Sequence, residues 1–249
     1  MIKIKSRQEI DKMRAAGKIL AETFLALEEH IKPGITTYEL DSIAKKFIKS
    51  NNALCSFKNY NGYPANICTS VNEQVVHGIP SKSTVLSDGD IVSIDIGVLY
   101  QGFHGDSAKT FAVGNISDEA QRLIDVTKES FYRGLLKATT DNRLFDISAA
   151  IQNYVEDNGF SVVRKLVGHG VGSALHEDPE VPNFGTAGRG VRLLPGMTLA
   201  IEPMVNMGTY DVDTLSDNWT VVTADGRLSA HYEHSVLITA NGPELLTVC

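Results

Sequence analysis

The sequence predicts a mixed α/β (α+β) fold in which one unit is used twice, and three observations predict it. A pair of amphipathic helices followed by strands occurs in the first half and again in the second. Gly89-Asp-Ile-Val-Ser-Ile-Asp95 and Gly196-Met-Thr-Leu-Ala-Ile-Glu202, 107 residues apart, each run from a turn glycine along a strand to an acid. The 249 residues are 43% hydrophobic, which supplies a substantial core. The expected organisation is a single domain over residues 1–249 with pseudo-symmetric halves at roughly 1–115 and 116–249.

Each element follows from local chemistry. Ser6 and Glu9 form a capping box before Ile10, Met13, Gly17, Leu20, Phe24, Leu27 and Ile31, which recur at helical spacing up to the Pro33-Gly34 break. A second box, Thr36 with Glu39, opens Leu40, Ile43, Ala44, Phe47 and Ile48 on one helical face, and Asn51-Asn52 ends it. Strands follow at Ile67 to Val71, Ile91 to Val98 and Gly105 to Val113, β-branched or alternating and bounded by Gly, Pro or Asp. Ser117 caps a helix through Leu136, and Asp141 or Asp146 starts another that ends at Asn158-Gly159. Further strands are expected at Val162 to Val167, Thr198 to Val205, Thr220 to Thr223 and Ser235 to Thr239.

Charge and composition exclude several classes of function. With 23 basic residues against 30 acidic ones and no basic run, the chain lacks the positive face that nucleic acid or an anionic membrane requires. Apolar runs fall far short of the ~20 residues of a membrane helix, and the N-terminus does not read as a signal peptide. Three cysteines, Cys55, Cys68 and Cys249, do not make a disulfide framework, so a cytoplasmic protein is expected.

The acids carry the chemistry. Period-2 alternation sets Asp95 on the face opposite Val92 and Ile94, and Glu202 opposite Leu199 and Ile201. If the hairpin Leu99-Tyr-Gln-Gly102 is centred between Tyr100 and Gln101, Asp95 and Asp106 are direct cross-strand partners. Two like charges at that separation of ~5 Å repel unless a cation lies between them. The hairpin alone is equally well read as two solvated acids flanking a turn. Glu202 and Glu233 form a matching pair in the second half, and His169 sits among glycines in Gly168-His-Gly-Val-Gly172. Four carboxylates and an imidazole suit two divalent ions such as Mn, Fe(II), Co or Zn, and no paired cysteines are present for a thiolate site.

These residues belong to a longer set of motifs: Asn61-Gly-Tyr-Pro64, Ser70-Val-Asn-Glu-Gln-Val-Val-His-Gly-Ile-Pro80, Asp90 to Gly97, Gly105-Asp106, His176-Glu-Asp-Pro179, Leu194-Pro-Gly-Met197, Ile201-Glu-Pro-Met204 and Asp217-Asn-Trp-Thr220. With them the chain resembles, over nearly its whole length, the type I methionine aminopeptidases of the pita-bread metallopeptidase family, in its minimal, bacterial-type form. The resemblance implies a curved, mainly antiparallel sheet with pseudo-two-fold symmetry. It implies Asp95, Asp106, His169, Glu202 and Glu233 as ligands of two divalent ions, with Asp106 and Glu233 bridging. It implies removal of the initiator methionine from nascent proteins when the second residue is small, by a water that the ions activate. Glu202 then acts as the base, and His77 and His176 contact the substrate and stabilise the tetrahedral intermediate. Tyr60, Tyr63, Cys68 and Trp219 are carried over as walls of the methionine pocket, with Phe57 and Leu175 adjoining. His30, His104, His231 and His234 match no catalytic position and are expected to be structural. A monomer in transient contact with ribosomes is the family expectation. The rivals are an X-Pro aminopeptidase or dipeptidase of the same fold, and an inactive binding protein that has kept the fold.

Overall fold

A computed structural model describes residues 1–249. The first helix pair is α1 (Arg7–Glu28) and α2 (Thr37–Ser50), and the second is α3 (Asp118–Leu135) and α4 (Leu144–Asp157). The strands are β1 (Leu54–Cys55), β2 (Cys68–Val71), β3 (Gln74–Val76), β4 (Ile91–Tyr100), β5 (Phe103–Ala112), β6 (Ser161–Val162), β7 (Gly168–Gly170) and β8 (Glu177–Val181) in the first part of the chain. They continue as β9 (Thr198–Ile201), β10 (Met204–Asn206), β11 (Val212–Thr214), β12 (Val221–Thr223), β13 (Ser229–His231), β14 (His234–Thr239) and β15 (Gly242–Leu245). Every ladder is antiparallel.

The caps act as the sequence predicts at three helices. The Ser6 amide donates to Glu9 Oε2 at 2.8 Å and the Thr36 amide to Glu39 Oε2 at 2.8 Å, each closing a box, while Ser117 Oγ accepts from the Ala120 amide. The fourth differs. α4 begins after Arg143 rather than at Asp141 or Asp146, and Asp146 lies in its first turn, accepting from the Arg143 amide at 2.7 Å. Asp146 thus supplies only the returning half of a box, because a carboxylate in the first turn reaches back to the free amide just outside the helix.

The first helix pair covers the sheet of β1, β2, β4 and β5, and the second packs on strands of two sheets, β13–β10–β6 and β15–β14–β9–β7–β8. Leu20, Phe24 and Leu27 of α1 and Leu40 and Ala44 of α2 pack on Val92, Ile94, Ile96 and Val98 of β4. In the second pass Leu123 and Phe131 of α3 and Ile147 and Ile151 of α4 share a cluster with Leu199, Ile201, Val236 and Ile238. The residues between these aliphatics, among them Asp95, face inward by the strict alternation of a strand.

Three expectations about strands are corrected. The β4–β5 hairpin turns at Gln101-Gly102, not between Tyr100 and Gln101, so Asp95 pairs with Ala108 and Asp106 with Gly97. Gln101 at φ 49° and Gly102 at φ 81° make the two-residue turn whose twist matches the flanking strands. Asp95 and Asp106 therefore share a face as diagonal rather than direct neighbours. The strand expected over Thr198 to Val205 is split into β9 and β10 at Glu202-Pro203, since Pro203 has no amide to donate to a ladder. Of the stretch Val162 to Val167 only Val162 joins a ladder, as the end of β6, and Leu166 and Val167 line a cavity instead.

Candidate active site

The two passes meet along a seam that brings the acids together. Ser235 Oγ of β14 accepts from the Asp106 amide at 3.0 Å and donates to the Asp106 carbonyl at 2.9 Å, and the Glu233 amide donates to the Ala108 carbonyl at 2.8 Å. The β9–β14 ladder pairs Ile201 with His234 and the β10–β13 ladder pairs Met204 with His231, so one register continued across the break sets Glu202 against Glu233. His169 enters from β7, whose partners are β8 and β9. A Cβ at Gly168 would lie 2.3 Å from the Ala200 carbonyl oxygen, so only glycine permits the approach that seats His169 here.

The geometry of the cluster is compact. His169 Nε2 lies 3.5 Å from Glu202 Oε1 and 3.7 Å from Asp106 Oδ2. His169 Nδ1 is 2.8 Å from the Gly170 carbonyl, which fixes the proton on Nδ1 and leaves the Nε2 lone pair facing the acids. Ligand atoms of Asp106, His169 and Glu233 lie within 4.8 Å of one another, and so do those of Glu202, His231 and Glu233. Asp95 Oδ1, Asp106 Oδ1, Glu233 Oε1 and His231 Nε2 are buried without a hydrogen-bond partner.

Burial governs the electrostatics. It pushes Asp95 up to about 7, aided by repulsion from Glu202, and pushes Glu202 up to about 8. Asp106 and Glu233 are raised well above the usual carboxylate range, first by burial and then by the neighbouring acids. Burial also holds the imidazoles neutral, with His169 lowered to about 3 and His77 and His231 to about 4. Four acids that resist ionisation, three of them with an orphaned oxygen, fit divalent cations, which both neutralise the charge and satisfy the lone pairs.

All thirteen predicted site residues line one cavity of about 250 Å³. Asp95, Asp106, His169, Glu202 and Glu233 line it together with an apolar cluster that contains Phe57, Tyr60, Tyr63, Cys68, Leu175 and Trp219. Tyr63 and Trp219 meet edge to face with ring centres 5.1 Å apart. Cys68 pairs with Asp95 across β2 and β4, joining wall to acids, and burial pushes its thiol up, so it stays a neutral packing group. His77 holds a backbone φ of 60°, and its ring packs edge-on to Trp219. His176 stacks on Tyr60, whose hydroxyl is 2.8 Å from His176 Nδ1.

The structure adds residues that sequence reasoning missed. Asn61, Val76, Leu166, Val167 and Met204 also line the cavity. His231, expected to be structural, instead has its Nε2 3.4 Å from Glu202 Oε2. A signal was present: His231 and Glu233 are two residues apart, the spacing that shares a strand face.

Fold and site together define a metallopeptidase. Residues 11–240 match the family described as Metallopeptidase family M24, and the chain belongs to that family. A relative, the methionine aminopeptidase of Clostridium perfringens, is 63% identical over 248 residues, covering 100% of this chain and 99% of that protein. The crystal structure of methionine aminopeptidase from Thermotoga maritima superposes with a TM-score of 0.99 at 46% identity, covering 100% of both chains. Prolidase from Pyrococcus furiosus shares the fold at a TM-score of 0.76 and 22% identity, with 99% of this chain and 65% of that one covered.

Proposed function

We propose that this chain removes an N-terminal methionine from polypeptides by metal-dependent hydrolysis, with preference for a small second residue. The observation that carries this is one cavity lined both by a cluster of acids with an imidazole and by an aromatic and thiol-containing apolar cluster. The apolar cluster is chemically suited to an unbranched thioether, which gains from sulfur–aromatic contact and adapts to an irregular lining. Asp95, Asp106, His169, Glu202 and Glu233 would hold two divalent ions, Co, Mn, Fe(II) or Zn. Bound there, such ions supply Lewis acidity toward the scissile carbonyl and acidify a water.

The chain's own residues do the rest. Glu202, which lines the cavity beside His169, would take a proton from water and pass it to the departing amine, a dual role as ligand and base. The Tyr60 hydroxyl next to His176 Nδ1 leaves Nε2 as the nitrogen that donates to the substrate. His77 and His176 are both lowered by burial, so each is neutral near pH 7 and donates one hydrogen bond to the developing oxyanion. Tyr63 and Trp219 hold the methionine side chain, which orients the scissile bond over the acids.

No helix is long and apolar enough to cross a membrane, and all three cysteines are free thiols. We place the activity in the cytoplasm, on nascent chains beside the ribosome and as a monomer. The test is incubation with Met-Ala-Ser and with Ala-Pro-Ala in the presence of Mn or Co. Release of free methionine is expected. Cleavage confined to the proline peptide would instead mark a proline-directed peptidase, and turnover of neither would mark a binding protein.

A further inference from the structure

The histidines outside the expected site sort by what their ring nitrogens meet. His234 is satisfied on both sides, by Thr247 Oγ1 at 2.7 Å and the Tyr232 hydroxyl at 3.2 Å, and His104 Nδ1 lies 2.9 Å from Ser56 Oγ. His30 is exposed. These are structural or solvated rings. His231 is neither: it is 2% exposed, yet its Nε2 has no hydrogen-bond partner. Buried polar groups in folded proteins are nearly always paired, so an orphan aimed at a reactive group calls for a role.

The ring is held where it is. The His231 amide donates to Thr110 Oγ1, which donates back to the His231 carbonyl, both at 2.9 Å, and the backbone pairs with Met204 across β10 and β13. Held so, Nε2 faces Oε2 of Glu202 at 3.4 Å, while the other oxygen of that carboxylate faces His169. The ring also lines a second, polar cavity of about 320 Å³ with Lys109, Thr110, Asp125 and Lys128. A lone pair on Nδ1 is compatible with solvent on that side, so the tautomer with its proton on Nε2 satisfies both nitrogens. The carbonyl of Glu202 is tied separately, accepting from Asn183 Nδ2 at 3.0 Å.

The geometry points to His231 as a positioning residue that donates Nε2–H to Oε2 of Glu202, an inference that rests on the role given to Glu202 under the proposed function. At 3.4 Å the contact is looser than a formed hydrogen bond, and catalytic contacts of this kind tighten in the working complex. The bond stops rotation of the carboxylate and engages one oxygen, leaving Oε1 to face the cavity. Partners of this sort, one step behind a ligand, set its orientation and basicity.

The test compares His231→Leu with His231→Gln in the full chain, the glutamine amide being able to donate as the imidazole does. The readouts are kcat and KM on Met-Ala-Ser with Mn(II), Mn(II) affinity and stoichiometry by titration calorimetry, and the visible spectrum of the Co(II)-loaded protein. The leucine variant is expected to lose about 10–100-fold in kcat or Mn(II) affinity, with an altered Co(II) spectrum and KM within about twofold. The glutamine variant is expected to restore kcat and affinity to within about threefold of the parent chain. A leucine variant equal to the parent in affinity, spectrum and kcat overturns the inference. So does a glutamine variant that binds one ion fewer, which would make His231 a ligand. If the leucine variant does not fold, His231→Asn replaces it, since its shorter amide falls short of Glu202 and should reproduce the loss. Calorimetry and the Co(II) spectrum need no substrate, so they report on His231 even if methionine is not the residue released.

Discussion

At the scale of single residues, Asp106 is the acid with the most at stake. It is 4% exposed, one oxygen has no partner, and the other lies 3.7 Å from His169. Asp106→Ala removes a proposed metal ligand and should lower kcat by about 10³-fold or more, the equivalent of ~4 kcal/mol of lost charge stabilisation. A near-parental kcat with Mn(II) present would refute that role. Trp219 tests the apolar lining of the cavity. Trp219→Ala opens the wall that Tyr63 and His77 meet edge-on, and kcat/KM for methionine peptides should fall at least about tenfold, the scale of a lost wall contact in an apolar pocket. An unchanged kcat/KM removes Trp219 from the pocket. Both residues were legible because motif chemistry marks them. The spacing of Asp95 from Asp106 was not, because a glutamine at positive φ is uncommon and nothing in Tyr100-Gln-Gly102 announces it. The tie between His231 and Glu202 was hidden in a strand register that becomes visible only when β10 and β13 are seen to pair.

At the scale of elements, helices were legible from caps and strands from alternation, whereas contacts between distant segments were not. Lys5 and Glu177 show why: they are remote in sequence, and nothing there pairs the one with the other, yet they form a 2.7 Å ion pair with both side chains only 4% exposed. The pair ties the segment before α1 to the start of β8, immediately after His176. Glu177 also accepts from the Ala174 amide at 3.2 Å and from Lys3 at 3.1 Å. Burial alone would raise the Glu177 carboxyl, but these donors outweigh it and hold the group down at about 2. Its folded value is thus below the ordinary value near 4.5, so the pair stabilises the fold above that pH, and the contribution is lost as pH falls toward about 2. Glu177→Gln should flatten the fall in Tm between pH 5 and pH 2 seen in the parent chain, measured by circular dichroism. Equal slopes for the two proteins would show that the clasp does not operate. In the variant, His176 loses a fixed neighbour, and KM for Met-Ala-Ser should rise.

At the scale of the whole molecule, the acid cluster lies on the seam between two hydrophobic clusters that are built separately, one under α1 and α2 and the other under α3 and α4. Those cores hold the fold without ions, so chelation should abolish activity and leave the far-ultraviolet circular dichroism unchanged. What metal removal alters is the response to pH. Without cations, burial and mutual repulsion favour the protonated acids, with Asp95 raised to about 7 and Glu202 to about 8. A carboxyl whose folded pKa exceeds its unfolded one contributes stability that is complete below the ordinary range near 4 and is lost as pH climbs through the folded value. The chelated protein should therefore melt at a lower temperature at pH 8.5 than at pH 6, opposite in sign to the acid-side effect of Glu177. Mn(II) restores the charge balance, and because protons compete with it for the same oxygens, its stabilising increment should be larger at pH 8.5. The measurement is Tm of the chelated and Mn(II)-loaded protein at both pH values. A chelated protein whose Tm does not fall between pH 6 and pH 8.5 would mean that these acids are already solvated, and that the two passes do not enclose a common charged centre.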